Sequence, residues 1–205
     1  MNEPWIERWK EGRIGWHEPD GNASLQRHWR GTGLRVIVPL CGKTPDLLWL
    51  EERGNSVTGV EVSEIAAKAF FEENGIAYTR RDGAMPVYTA NERHIAIHCG
   101  DFFEFGESGF DACYDRGSLI ALPADVRPDY VRHLDSLTEP NIVRLLITLD
   151  YDESVAKGPP FCVNAEEVRG YWPSLELVDR FDDIANGPPK FRDAGLAEMY
   201  ECVWR

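Results

Sequence analysis

A glycine and a glutamate early in the chain have the types and spacing to hold a nucleoside. Gly42 lies in the tight loop Pro39-Leu40-Cys41-Gly42-Lys43-Thr44, and Glu61 closes the apolar stretch ending Gly59-Val60, about 20 residues further on, the separation a Rossmann-like unit uses. In such a unit the glycine turn lets backbone approach the ligand, and the carboxylate can accept hydrogen bonds from both ribose hydroxyls. The plainer alternative is that Glu61 only caps the helix that begins near Ser63. Two more acids follow apolar stretches. Asp101 with Phe102 suits an adenine, a carboxylate or backbone group for the exocyclic amine and an apolar ring beside it. Asp101 can equally be the N-cap of a following turn. Asp115-Arg116 is a charged pair at a buried strand end, where charges are rarely placed without a partner. It reads as a functional pair or as a structural ion pair.

The loop's missing glycines narrow the ligand. A dinucleotide site wants G-x-G-x-x-G to bring amides against a pyrophosphate, and the sequence Pro-Leu-Cys-Gly-Lys-Thr-Pro-Asp over 39–46 has a single glycine. Gly42-Lys43-Thr44 resembles the end of a P-loop, but that motif needs a glycine where Ile37 stands. A ribose-binding acid without a phosphate cradle suits S-adenosylmethionine better than a nucleotide. A P-loop-like nucleotide protein and a non-catalytic binder of the same cofactor remain the rival readings.

Composition restricts the class. The chain has 205 residues, 43% hydrophobic and 28% charged, within reach of one α/β domain over 1–205 and far from disordered or membrane-spanning composition. A net charge of −13 argues against nucleic acid, which demands a basic face. The N-terminal Met-Asn-Glu-Pro-Trp-Ile-Glu-Arg-Trp-Lys has no signal-peptide core, so no membrane partner is expected. Cys41, Cys99, Cys113, Cys162 and Cys202 are odd in number and scattered, which fits reduced thiols in a cytoplasmic protein. No histidine pair has metal-ligand spacing with carboxylates, so no metal is expected.

Alternating elements must position these residues. Strands are expected at 34–38, 56–60, 94–98, 110–114 and 143–149, and helices over 47–50, 65–74, 125–137 and 166–171. Ser63 caps the second helix and Asn74-Gly75 closes it. Residues 78–93 read as polar and turn-rich, and 175–181 with 196–204 as a closing antiparallel pair. The expected architecture is a mainly parallel seven-stranded α/β sheet with helices on both faces, a C-terminal antiparallel hairpin and one reversed edge strand. In open sheets of this type the ligand lies beyond the carboxyl ends of the strands, where Leu40, Gly42, Glu61, Asp101, Phe102, Asp115 and Arg116 all fall.

Several motifs in order resemble the thiopurine S-methyltransferase family in its bacterial branch. They are Trp5 and Trp9 with Ile14-Gly15-Trp16-His17; Val38-Pro39-Leu40-Cys41-Gly42-Lys43; Gly59-Val60-Glu61-Val62-Ser63-Glu64; Gly100-Asp101-Phe102-Phe103; Tyr114-Asp115-Arg116-Gly117-Ser118-Leu119-Ile120-Ala121; and Thr148-Leu149-Asp150-Tyr151 leading to Gly158-Pro159-Pro160-Phe161. They span nearly the whole chain. The resemblance implies a Rossmann-like class I fold and a monomeric enzyme that methylates small thiols or chalcogen compounds from S-adenosylmethionine, releasing S-adenosylhomocysteine.

The resemblance also implies roles. Residues 1–30 are an N-terminal lid, with Trp5, Trp9 and Trp16 over the cofactor; on composition alone, tryptophans at i and i+4 can equally be a helix's core face. Leu40 faces the methionyl part, Glu61 the ribose, and Asp101-Phe102 the adenine. Arg116 reaches towards the acceptor, and Pro160 and Phe161 form its wall. Heteroaromatic thiols ionise readily, so a cation such as Arg116 can favour the thiolate without a strong base. Asp115 and His17 are candidate proton acceptors, and His17 can equally be a packed or solvated ring. The family's second basic residue before the final strand has no secure match here: Lys190 or Arg192 could fill it, or both could be solvated charges. The acceptor itself, whether thiopurine, other thiol, selenium or tellurium compound, is left open.

Overall fold

The computed structural model describes residues 2–205. Its described elements, in chain order, are α1 (Glu3–Lys10), α2 (Ala23–His28), β1 (Arg35–Pro39), α3 (Asp46–Glu51), β2 (Ser56–Glu61), α4 (Glu64–Glu73), β3 (Tyr78–Arg81), β4 (Val87–Ala90), β5 (Ile95–Cys99), β6 (Phe110–Arg116), α5 (Arg127–Leu137), β7 (Thr138–Asp150), α6 (Ala165–Tyr171), β8 (Leu177–Asp182), α7 (Pro189–Asp193) and β9 (Tyr200–Trp204). They form two compact units, one of residues 2–114 and 137–143, the other of 115–136 and 144–205. No helix among the described residues is long and apolar enough to cross a membrane.

In the first unit the strands run in the order β3-β4-β5-β2-β1-β6. β1 pairs in parallel with β2 and β6, and β2 with β5. Val36, Ile37, Val38, Val57, Val60, Ile95 and Ile97 are buried, as the apolar runs of a two-sided parallel sheet require. α4 lays Ala66, Ala67, Phe70 and Phe71 into the core and opens on Ser63, whose side chain accepts from Ala66 N. The loop after β1 packs tightly on β2, because a methyl group on Gly59 would stand 2.6 Å from Cys41 Sγ.

The second unit holds the antiparallel group β7-β9-β8, with β9 reversed against both neighbours. Trp204, fully buried, donates its indole N–H to Thr148 Oγ1 at 3.0 Å.

Two expectations need correction. The described strands number nine, not seven. The extra two are the antiparallel pair β3 and β4, inside the stretch read as polar and turn-rich. Each is four residues long, too short for a clear period-2 alternation: β3 exposes Thr79, Arg80 and Arg81, whereas β4 buries Val87, Tyr88 and Ala90 and exposes Thr89. Tyr78, Val87 and Tyr88 nevertheless supply the contacts, and Tyr78 and Tyr88 stack with Phe71 of α4. The expected single reversed edge strand is replaced by two reversed strands away from the edges: β4, antiparallel to both β3 and β5, and β9, antiparallel to both β7 and β8.

Gly59→Ala should therefore overpack the β1 loop and cost about 1–3 kcal/mol. Urea denaturation should show most of that loss recovered in the Cys41→Ala/Gly59→Ala double variant, which removes the sulfur the new methyl meets.

Candidate functional site

Glu61 is the last residue of β2 and only 5% exposed. Its Oε2 accepts Gly42 N at 2.8 Å and its Oε1 accepts Ser63 N at 2.7 Å. The main chain tightens the same point: Cys41 N donates to Val60 O at 3.1 Å and Gly100 N to Glu61 O at 3.0 Å. One side chain thus joins the loop after β1 to the start of α4 at the carboxyl ends of the strands. Burial pushes the Glu61 carboxyl up to about 7, against the opposing pull of backbone donors from Ser63, Gly42 and Val62. Its hydrogen-bond donors are the backbone amides named above, and each carboxylate oxygen has a second lone pair to offer. A vicinal diol is the complement of such a group, so the residues present fit the ribose of an adenosyl cofactor.

Backbone shape around Glu61 is specialised. Leu40 has φ 46° and Gly42 φ 57°. The left-handed region costs a leucine about 1 kcal/mol or more, and such outliers persist where the surroundings hold them. At Gly42 a side chain would also press on Trp9, whose Cζ2 would lie 3.2 Å from a methyl there. The glycine is required both by its φ and by the indole laid over it.

That indole belongs to an aromatic cluster. The rings of Trp5 and Trp16 meet edge to face at 5.3 Å, and those of Trp9 and Trp16 at 6.0 Å. Arg8 lies over Trp5 at 4.8 Å and Trp16 at 5.9 Å. Trp9 is buried, whereas Trp5, Trp16 and His17 are half-buried. The segment behind them is anchored by Asp46, buried in α3, which accepts Asn22 N and the Tyr114 hydroxyl, both at 2.8 Å. Sequence reading missed this anchor, since an acid at a helix start is already accounted for by the helix dipole.

Asp101 is the N-cap of a 3₁₀ turn, Phe102–Glu104, with Oδ1 accepting Phe103 N at 2.9 Å. Its Oδ2 accepts Asn2 Nδ2 at 2.8 Å. Phe102 is buried. The structure therefore gathers Trp5, Trp9, Trp16, Leu40, Gly42, Glu61, Asp101 and Phe102 in the first unit. Lys43, the P-loop-like lysine, is turned away to the Glu73 carboxylate of α4, at 2.7 Å from both oxygens, and Ile37 is buried inside β1.

The second unit organises the remaining candidates. Asp115, 1% exposed, accepts the Tyr130 hydroxyl at 2.6 Å and the amides of Ser118 at 3.2 Å and Leu119 at 3.4 Å. Burial raises its carboxyl above the ordinary range despite those donors. It braces the turn that carries half-buried Arg116. Phe161 N donates to Ile120 O at 2.6 Å, and the Tyr151 hydroxyl to Pro160 O at 2.8 Å. The proline segment is thereby fixed beside the 118–121 stretch, with the Arg127 guanidinium 5.7 Å from the Phe161 ring. Gly158-Pro159 and Pro159-Pro160 are cis. Lys190 of α7 is exposed and donates to Lys157 O at 3.0 Å, next to that segment. Arg192 donates to the carbonyls of Ile184, Ala185 and Gly187 at 2.7–3.0 Å, closing its own loop. Among the described residues no cluster of His, Cys, Asp and Glu could hold a metal ion.

Comparison with known proteins adds sequence and fold relatives. The family described as thiopurine S-methyltransferase (TPMT) matches residues 1–205. A thiopurine S-methyltransferase of Bordetella petrii is 41% identical over 99% of this chain and 96% of its own length. One of Pseudomonas fluorescens is 42% identical over 98% and 96%. Among solved structures, 1,6-didemethyltoxoflavin-N1-methyltransferase of Burkholderia thailandensis, with bound 1,6-didemethyltoxoflavin and S-adenosylhomocysteine, superposes with TM-score 0.64, covering 99% of this chain and 85% of the other. At 18% identity that likeness concerns the fold, which is the Rossmann-like class I methyltransferase fold.

The raised Glu61 carboxyl has a thermodynamic consequence. The folded state holds this proton more tightly than the unfolded chain, whose value is 4.5. Its contribution is complete below that pH and disappears as pH rises through 7, a loss of about 3 kcal/mol at most; Asp115 acts with the same sign. Urea midpoints should fall between pH 5 and pH 8, and Glu61→Ala should make that fall shallower.

Proposed function

The chain belongs to the thiopurine S-methyltransferase family, and from that premise we propose that it transfers the methyl group of S-adenosylmethionine, directly and in line, to the sulfur of a thiopurine or another heteroaromatic thiol. The observation that supports this most is Glu61, a buried carboxylate at a parallel strand end with backbone donors only. When bound, the cofactor supplies a sulfonium methyl, which needs alignment and exclusion of water more than acid-base help. Glu61 accepts the ribose hydroxyls, Leu40 and Gly42 present backbone to the methionyl part, and Phe102 lies against the adenine. Residues 1–30 act as the lid, with Trp5, Trp9 and Trp16 keeping water out.

On the acceptor side Arg116 is the catalytic candidate, its cation favouring the thiolate of the bound thiol. Asp115 is a positioning residue: its oxygens are committed to Tyr130, Ser118 and Leu119, so it holds the turn that aims Arg116. Pro160 and Phe161 wall the acceptor, with Lys190 as a further contact. The protein works as a cytoplasmic monomer on small molecules.

Calorimetric titration tests the reading, with S-adenosylhomocysteine binding expected and none for ATP–magnesium or NAD. Glu61→Ala should weaken that binding by about 1–3 kcal/mol. Arg116→Ala should leave it within twofold while lowering turnover on a thiopurine. Turnover on selenite or tellurite in place of any thiol would overturn the thiol acceptor, and binding of ATP alone would overturn the methyltransferase.

A further inference from the structure

Asn2 stands at the N-cap of α1, where an asparagine side chain ordinarily accepts a hydrogen bond from the helix's own first amides. It makes no such cap. Its Nδ2 donates instead to Asp101 Oδ2 at 2.8 Å, 99 residues along the chain. The other end of α1 sets Trp9 against Gly42. Asp101 follows β5 and Gly42 follows β1, and the strands run β5-β2-β1. The two anchor points therefore flank the end of β2, where Glu61 lies. Two strand spacings make about 10 Å, and the eight residues of α1 make about 12 Å. The helix has the length to bridge the anchors.

We propose that Asp101 is a positioning residue that latches α1 across the Glu61 strand end through Asn2, and that this hydrogen bond governs how long the adenosyl cofactor is retained. The proposal rests on Glu61 being the cofactor's anchor, and it replaces the expected contact of the Asp101 carboxylate with adenine. One oxygen of that carboxylate shapes the turn bearing Phe102 and the other holds the helix bearing Trp5 and Trp9. A short helix so placed cannot hold itself: isolated helices below about 12 residues are marginal in water. It stays where its two ends are fastened.

A donor–acceptor swap tests this. Asn2→Asp faces one carboxylate with another, yet leaves a side chain able to cap α1, so a loss is not a loss of helix propensity. Asp101→Asn keeps an acceptor for Phe103 N, and a flipped Asn2 amide can still meet it. The double variant Asn2→Asp/Asp101→Asn restores a donor opposite an acceptor. In the ligand-free protein, amide hydrogen exchange along α1 should accelerate about tenfold in Asn2→Asp, the factor for a lost charged hydrogen bond of about 1.4 kcal/mol. S-adenosylhomocysteine dissociation, followed by tryptophan fluorescence, should quicken by the same factor. Both should return to within twofold of wild type in Asp101→Asn and in the double variant.

Unchanged exchange and dissociation in Asn2→Asp would overturn the latch. So would impairment of Asp101→Asn and the double variant with Asn2→Asp intact, which would mean that the ligand itself needs the Asp101 carboxylate. Failure of the wild-type protein to bind S-adenosylhomocysteine would overturn the Glu61 reading and the claim about retention, while exchange along α1 would still show whether the latch exists.

Discussion

The cofactor side of this protein depends on a carboxylate kept where water cannot reach it. Glu61 fixes Gly42 after β1 and Ser63 before α4, while the main chain around it engages Cys41 and Gly100. The ends of three neighbouring parallel strands are thereby held at one point. For a purely structural tie this is an expensive choice. Burial disfavours the charged form strongly enough to lift the carboxyl to about 7, and backbone amides offset only part of that. A neutral acceptor could make the same two bonds without the desolvation penalty. A carboxylate is the better choice where further donors arrive with a ligand, because they recover the missing solvation at the moment of binding.

The N-terminal segment follows from that placement. α1 covers the Gly42 loop beside that carboxylate with aromatic rings on a short helix. Trp9 touches the loop at the one residue, Gly42, whose missing side chain leaves room and whose φ no other residue adopts easily. Edge-to-face packing among Trp5, Trp9 and Trp16, with Arg8 over two of them, makes the cover one object. Its attachments are both apolar, Trp9 against Gly42, and polar, Asn2 to Asp101 at one end and Asn22 to Asp46 further on.

The legible parts of the sequence were those governed by local rules. Strand β1 and strand β2 announce themselves by β-branched runs, α4 by its Ser63 cap, and the ligand loop by Gly42 followed at the right distance by Glu61. The invisible parts were decided by contacts between distant residues. β3 and β4 hide because each is four residues long, too short for a legible alternation, and Phe71 of α4 is what makes sense of Tyr78 and Tyr88. Asn2 stands at the N-cap of α1, yet its side chain serves Asp101. Asp46 opens α3, yet it joins Asn22 to Tyr114. Arg192 reads as a candidate for substrate, yet three carbonyls of its own loop occupy it. In each case the residue type had a sufficient local explanation that tertiary structure overrode.

Acceptor identity was the least legible feature, for a reason visible in how the second unit is held together. Phe161 is fixed through its amide to Ile120 O, the Pro160 carbonyl is fixed by Tyr151, and the Arg116 turn is fixed by Asp115 and the amides of Ser118 and Leu119. These bonds engage backbone groups of the Pro160–Phe161 segment and of the turn, while the Phe161 ring lies beside the Arg127 guanidinium. The cofactor side is the opposite case: Glu61, Gly42 and Trp9 are each fixed by their own side chain or by the lack of one. Residue identity is therefore constrained sharply at Glu61, Gly42 and Trp9, whereas the turn after Arg116 and the Pro160–Phe161 segment are held through their backbone.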